Sequence, residues 1–573
     1  MKGRMASAGM AYAAAALFGD KELKIERRLE EDTQLETERF EAACVRCMKT
    51  LEEIMAGVDK ESQGILDFQL LMLEDTDYLG RVRQIIREER CNAEYAVQRA
   101  TRGYADSLSG LTDNDYLRER ATDVMDLAGR LVGELMGVEG QGPEPDTDYI
   151  AVAWDLTPSQ VAAMDRKKLR GIVLEKGGMT SHAVIIARSL GIPCLIEVMG
   201  ALEGVDQGQM VLLDAGNEAF IPEPREEELA RYRAYQEAQH RDGEELEAYR
   251  LAPTQTRDGK KMQVFANITS ARDALPAVEQ GGEGVGLFRT ELLYMEEESA
   301  PPDEEKQFQA YRQAAEGLRG RPLIIRTLDV GGDKKIAYLG IDREENPFLG
   351  YRAIRYCLDH RALFKAQLSA ILRASAFGKV RIMLPMISEL RELRETRALV
   401  EELKTELAAA GTPFDRGIAL GIMVETPAAA FDAQRFAREA DFFSIGTNDL
   451  AQYLFAADRG NERVSRLNCY FQPTLLRAVD HIAACAHAAG IEVGICGQAG
   501  EAPQLIPLWI AMGIDELSVS IPGVMRVRRA ICMSDEQACK RLLGEVLSLD
   551  TAEETEKRLS EYQTELRLQS KVR

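Results

Sequence analysis

The apolar positions repeat with different periods in different parts of the chain, and the changes of period divide it. Met10–Phe18 is a short Ala-rich apolar run, read as a first strand or turn. From 22 to about 137 the spacing is helical: Phe40, Cys44, Cys47, Leu51 and Ile54 recur at 4-3-4-3 intervals. Leu117, Ala121, Val124, Ala128, Leu131 and Leu135 mark a second stripe, with further apolar faces at 65–73 and 82–86. This block predicts an all-helical subdomain of two antiparallel hairpins, closed by the breaker Gly140–Pro145. Short strands then follow at Tyr149–Trp154, Gly171–Leu174, Cys194–Val198 and Met210–Leu213, an α/β unit. Residues 225 to about 250 are dense in Glu, Arg and Gln and predict one long solvated helix. Beyond Pro253, eight apolar runs alternate with helical segments: Met262–Ile268, Val285–Leu287, Leu323–Leu328, Val380–Met386, Ile418–Val424, Phe442–Ile445, Glu492–Ile495 and Leu517–Val519. That order predicts a (β/α)8 barrel.

The chain is therefore read as a multidomain α/β protein. Residues 1–21 and 146–224 form an α/β domain, 22–145 an inserted all-helical subdomain, 225–252 a linker helix and 253–573 the barrel. The 573 residues suffice for that many domains, and the formal charge of −23 argues against nucleic acid as a partner. Ten cysteines scattered over such a length suit a reducing compartment better than a disulfide framework. Cys44 and Cys47 share a helix stripe, so packing explains the pair better than metal or redox chemistry. Lys2 and Arg4 before the alanine run outline a faint signal peptide, but the run is weakly hydrophobic and too short to span a bilayer. A cytoplasmic protein without membrane insertion is expected.

Candidate chemistry falls at two places. Gly177-Gly178-Met179-Thr180-Ser181-His182 joins a strand to the helix 183–190, so His182 stands at a helix start among unpaired N–H groups. That position suits a group carrying phosphate and disfavours imidazolium. A capping role is the alternative for an isolated histidine. The second place is the carboxyl ends of the barrel strands, which meet at one mouth. Arg289 follows strand two, Arg326 and Asp329 end strand three, Glu425 follows strand five, Asn448 and Asp449 strand six and Cys496 strand seven. Glu425 and Asp449 offer hard oxygens for Mg²⁺. Arg289, Arg326 and Arg459, with Lys334 and Arg352, offer donors to phosphate or carboxylate. A thiol at Cys496 could act as nucleophile, acid or bystander.

These strings resemble Enzyme I of the bacterial phosphoenolpyruvate:sugar phosphotransferase system over essentially the whole chain. The resemblance runs through Asp155–Ser159, Gly177–Arg188, Gly284–Glu291, Glu345–Gly350, Ala374–Lys379, Met423–Ala429, Phe443–Leu450 and Asp458–Asn461. It implies that phosphoenolpyruvate bound with Mg²⁺ in the barrel phosphorylates Nε2 of His182. Glu425 and Asp449 would hold the metal. Arg289, Arg326, Arg459 and Asn448 would hold the phosphate, with Arg352 and Lys334 nearby. Cys496 would protonate the enolate to pyruvate. The phosphoryl group would pass to the histidine of the carrier HPr, docked on the helical subdomain. The 226–250 helix would act as a swivel, and the barrel would dimerise.

The chain departs from the family at several positions. The usual Ala-Ser-Pro-Gly opening is Ala6-Ser7-Ala8-Gly9, and a threonine that bonds the active histidine falls at Val161. The Phe-x-x-His pattern falls at Leu66 and Gln69, and a carrier-facing arginine at Met125. Cys-Gly-Glu-x-Ala-Gly-Asp reads Cys496-Gly497-Gln498-Ala499-Gly500-Glu501-Ala502, which in ungapped register removes acidic groups behind the mouth. Three alternatives follow: a live paralogue serving a dedicated HPr-like carrier, a non-catalytic regulatory binding protein, and an ATP-dependent dikinase or synthase. The last needs an ATP-binding domain for which the chain has no room and no Gly-x-x-x-x-Gly-Lys loop.

Overall fold

The computed structural model describes the chain except residues 19–24, 56–68, 110–114, 137–146, 157–159, 162–163, 166, 179–180, 298, 332–335, 343, 460, 462 and 572–573. It divides into two compact units, Met1–His240 and Arg241–Arg573.

In the first unit, β1 (Arg4–Ser7), β2 (Met10–Phe18), β3 (Tyr149–Ala153), β4 (Leu169–Leu174), β5 (Cys194–Ile196), β6 (Met210–Asp214) and β7 (Ala219–Ile221) form one sheet ordered β1-β5-β4-β3-β2-β6-β7. The Ala-rich run is thus a strand, parallel to β3 and antiparallel to β6. Its alanines fit because both faces are covered: Ala16 packs with Ile172 and Leu174 in one core, Ala11, Ala13 and Ala15 with Val152 and Leu213 in the other.

Between β2 and β3 stand helices α1 (Thr33–Met55), α2 (Thr76–Glu89), α3 (Ala93–Ser109) and α4 (Asp115–Met136). Phe40, Cys44, Cys47 and Leu51 from one predicted stripe meet Val124, Ala128, Leu131 and Leu135 from the other in a single core, which Leu127 also joins. Burial lifts the Cys44 thiol to about 12, so it is an inert packing group. Helix α5 (His182–Leu190) follows β4, and α6 (Glu226–Glu247) has no buried residue, as its charge-rich sequence predicts.

The second unit is a closed parallel barrel of β8 (Gln263–Ile268), β9 (Val285–Arg289), β10 (Pro322–Arg326), β11 (Lys379–Leu384), β12 (Leu420–Val424), β13 (Phe442–Gly446), β14 (Glu492–Cys496) and β15 (Glu516–Val519). All eight predicted strands are present within three residues of their expected ends. Alternate residues face opposite ways. Ile325, Ile382, Val424, Ile445 and Ile495 pack outward in the large core, while Leu287, Ile324, Met383, Met423, Phe442 and Cys496 form a separate cluster inside the barrel. Arg326 pairs in register with Arg289 on one side and Met383 on the other, and Cys496 with Gly446 and Ser518. Arg289, Arg326 and Cys496 thus lie at the carboxyl end of the barrel.

Among the described residues, no helix is long and apolar enough to cross a membrane.

Candidate active site at the barrel mouth

Arg326 is the buried centre of the mouth. Its guanidinium pairs with Glu291 and lies 3.0 Å from Asp329. Burial opposes a charge there, but Glu291, Asp329 and Glu425 outweigh it and hold the arginine protonated. Arg352 is equally buried and donates to Asp329 at 2.7 Å, so one carboxylate fixes two arginines. Arg289 is half-buried on the neighbouring strand. Arg459, more exposed, lies 3.8 Å from Asp449. Phe348 lies near both Arg352 and Arg459, its ring centre 5.9 Å from the Arg352 guanidinium and 5.6 Å from that of Arg459. Lys334 lies outside the described residues.

Glu425, immediately after β12, is almost wholly buried, and its Oε1 accepts the Met386 N–H at 2.6 Å. Burial, with Asp449 and Asp329 facing it, raises its carboxyl to about 8 against the pull of Arg326. Asp449 Oδ1 is buried and accepts no hydrogen bond among the described residues. Two crowded carboxylates, one oxygen lacking a donor, fit a hard divalent cation whose other ligands are substrate oxygens and water. They do not make a cage by themselves: among the described residues no group of three or more His, Cys, Asp or Glu is arranged to hold a metal.

Cys496 Sγ faces the Ile445 carbonyl at 3.6 Å inside the barrel. Burial lifts its thiol to about 12, a shift opposed by Ser444. Near neutral pH the group therefore carries its proton.

Two contributors went unnamed as site residues from sequence. Glu291 joins Asp329 in anchoring Arg326, and Tyr453 donates to the Phe348 carbonyl at 2.6 Å. Tyr453 lies four residues after Asp449, on the same helix face, which is the signal that could have found it. Ala353, Met386 and Ala456 adopt positive φ of 52°, 58° and 47°, a conformation no sequence pattern announced. Gln498 and Ala502 stand where the family pattern has acids; acidic groups elsewhere at the mouth are Glu291 and Asp329, and Glu501, one residue before Ala502, accepts the Ser520 N–H at 3.1 Å and faces Arg526 at 3.6 Å.

In the first unit, Ser181 caps α5 through the Val184 N–H at 3.5 Å, and Gly191 ends it in the left-handed region. The His182 backbone opens this helix as predicted; its side chain lies outside the described part of the structure. Val161 is core packing, Gln69 is fully buried and Met125 is exposed, while Leu66 and Thr157–Ser159 lie outside the described residues.

A barrel whose mouth gathers arginines, two carboxylates and a protonated thiol defines an enzyme acting on a small anionic, phosphorylated substrate. Sequence models of the PEP-utilising enzymes match the chain in three parts: the N-terminal domain at 2–120, the mobile domain at 145–218 and the PEP-binding domain at 243–536. The phosphoenolpyruvate-protein phosphotransferase of Bacillus sp. (strain S) is 40% identical over 562 residues, covering 96% of each chain. Those of Listeria innocua and Bacillus subtilis are 39% and 38% identical, covering 99% and 97% of this chain and 99% and 98% of their own. The chain belongs to the phosphoenolpyruvate-protein phosphotransferases, Enzyme I of the phosphotransferase system. Its reaction is phosphoryl transfer from phosphoenolpyruvate to protein.

Proposed function

We propose that this chain phosphorylates its own His182 from phosphoenolpyruvate and passes the group to the histidine of HPr or an HPr-like carrier, the first step of sugar uptake. The observation that carries the reading is the convergence of Arg326, Arg352, Arg459, Glu425, Asp449 and Cys496 on one barrel mouth. Arg289, Arg326 and Arg459, with Asn448, would grip the phosphate, and Arg352 and Lys334 would add to the anion site. Glu425 and Asp449 would hold Mg²⁺, which when bound neutralises charge on the substrate's oxygens.

His182 Nε2 forms a bond to phosphorus as the bridging P–O bond breaks, and that electron pair becomes the enolate of pyruvate. Cys496 Sγ–H then protonates the enolate carbon, leaving a thiolate that solvent reloads. A deprotonated thiol would repel the enolate, so the lifted thiol suits the acid role. His182, at the start of α5 beside unpaired N–H groups, suits a phosphorylated state.

Exposed Leu71 and Met125 on the helical subdomain support carrier docking there. Exposed Leu349 and Phe431 on the barrel support a homodimer through the barrel. A cytoplasmic location accords with this chemistry.

The test is stoichiometry. Phosphoenolpyruvate with Mg²⁺ and no carrier should release about one pyruvate per chain and stop, and HPr should restart release. Release that never starts would leave the regulatory reading, and release restarted only by another HPr-like protein would identify a dedicated carrier.

A further inference from the structure

Tyr470 lies in the segment between β13 and β14, and its phenol meets two amides at once. Its Oη is 2.8 Å from Asn448 Oδ1 and 2.9 Å from Gln498 Oε1. A phenol has one proton and can satisfy only one of these oxygens. Asn448 Oδ1 also faces the backbone N–H of Gln498 at 3.3 Å, a group that can only donate. The Asn448 oxygen is therefore fixed as an acceptor. Gln498 is the amide that turns, since carboxamide oxygen and nitrogen are interchangeable by a half-rotation. The consistent chain is Gln498 Nε2–H to Tyr470 Oη, and Tyr470 O–H to Asn448 Oδ1.

Gly497 makes the second contact available. Its φ is +141°, and a Cβ there would stand 2.6 Å from Thr447 Oγ1 and 3.3 Å from Asn448 Oδ1. Only glycine brings the Gln498 N–H this close. With both donors on its oxygen, Asn448 keeps Nδ2, which has no partner among the described residues.

We infer that Tyr470 and Gln498 are positioning residues: they lock the Asn448 carboxamide so that its NH₂ is presented to the substrate's phosphate. This rests on the reading of Asn448 as a phosphate ligand. It also gives the departure at 498 a function. A carboxylate there would accept the phenol's proton, withdraw it from Asn448 and free that amide to turn.

The test uses the full chain with Mg²⁺, measuring phosphoenolpyruvate binding by calorimetry alongside kcat and KM. Tyr470→Phe and Gln498→Glu should each weaken binding about tenfold, with kcat within about twofold and unchanged Tm. Relative to the unmodified chain, the Gln498→Glu loss should shrink in acid, where the protonated carboxyl can donate to the phenol. Adding Tyr470→Phe to Asn448→Ala should cost nothing further. If Asn448→Ala weakens binding and Tyr470→Phe does not, or if the two losses add, the positioning role is overturned while the phosphate contact stands. If Asn448→Ala binds normally, the phosphate contact itself is wrong.

Discussion

Cys496 and Arg326 show how a buried side chain's surroundings set its charge state. The thiol is lifted to about 12, so it can give a proton but rarely attacks. Cys496→Ser keeps a similar volume and replaces the thiol with a far weaker acid. We expect pyruvate formation to fall by about 10²–10³-fold while phosphoenolpyruvate binding changes less than about threefold, read by single-turnover kinetics and calorimetry. Equal losses in both would remove the acid role. Arg326 meets Glu291 with one terminal nitrogen and Asp329 with the other, a geometry that a single ammonium does not reproduce. Arg326→Lys, though it keeps the charge, should lower kcat/KM by about 10²-fold.

At the scale of elements, the loops after the strands carry what the strands only aim. Gly497 sits at φ +141° and ψ 174°, a region reserved to glycine. Gly497→Ala should therefore cost about 1–3 kcal/mol in denaturant unfolding and also weaken substrate binding. Activity and stability both preserved would show that the turn can reshape freely. Sequence patterning foretold the strands because a barrel strand covered by helices is a continuous apolar run, bounded by turns. The same rule placed Arg289, Arg326, Glu425, Asp449 and Cys496 at strand ends. It could not place Glu291, Tyr453 or Tyr470, whose contacts join segments far apart in the chain or lie in irregular loops. Nor could it foresee the positive φ of Met386, which accompanies an N–H aimed at Glu425 and follows from tertiary packing.

At the scale of the whole molecule, the barrel holds a buried carboxyl that phosphoryl transfer does not use. A Cβ at Gly286 would lie 2.2 Å from Glu516 Oε1 and one at Gly494 2.5 Å from Oε2, so two glycines make room for it inside the barrel. Burial, with smaller contributions from Glu492 and Asp515, raises it from the ordinary 4.5 to about 8. Between these values the folded chain holds a proton that the unfolded chain releases. The stability contributed by neutral Glu516 is complete below the lower value and declines as pH rises through the upper one. Glu516→Gln should therefore gain in unfolding free energy over the unmodified protein, read by denaturant titration, as pH goes from about 5 to about 9, by a few kcal/mol at most. A constant difference across that range would mean that Glu516 does not titrate there.

In the proposed reaction the two compact units hold one half of the chemistry each, His182 falling in Met1–His240 and the barrel residues in Arg241–Arg573. The central claim is that a single imidazole links them. Radiolabelled phosphoenolpyruvate with Mg²⁺ should place about one acid-labile, alkali-stable phosphoryl group on each unmodified chain and none on His182→Ala. Label retained by His182→Ala would contradict the account.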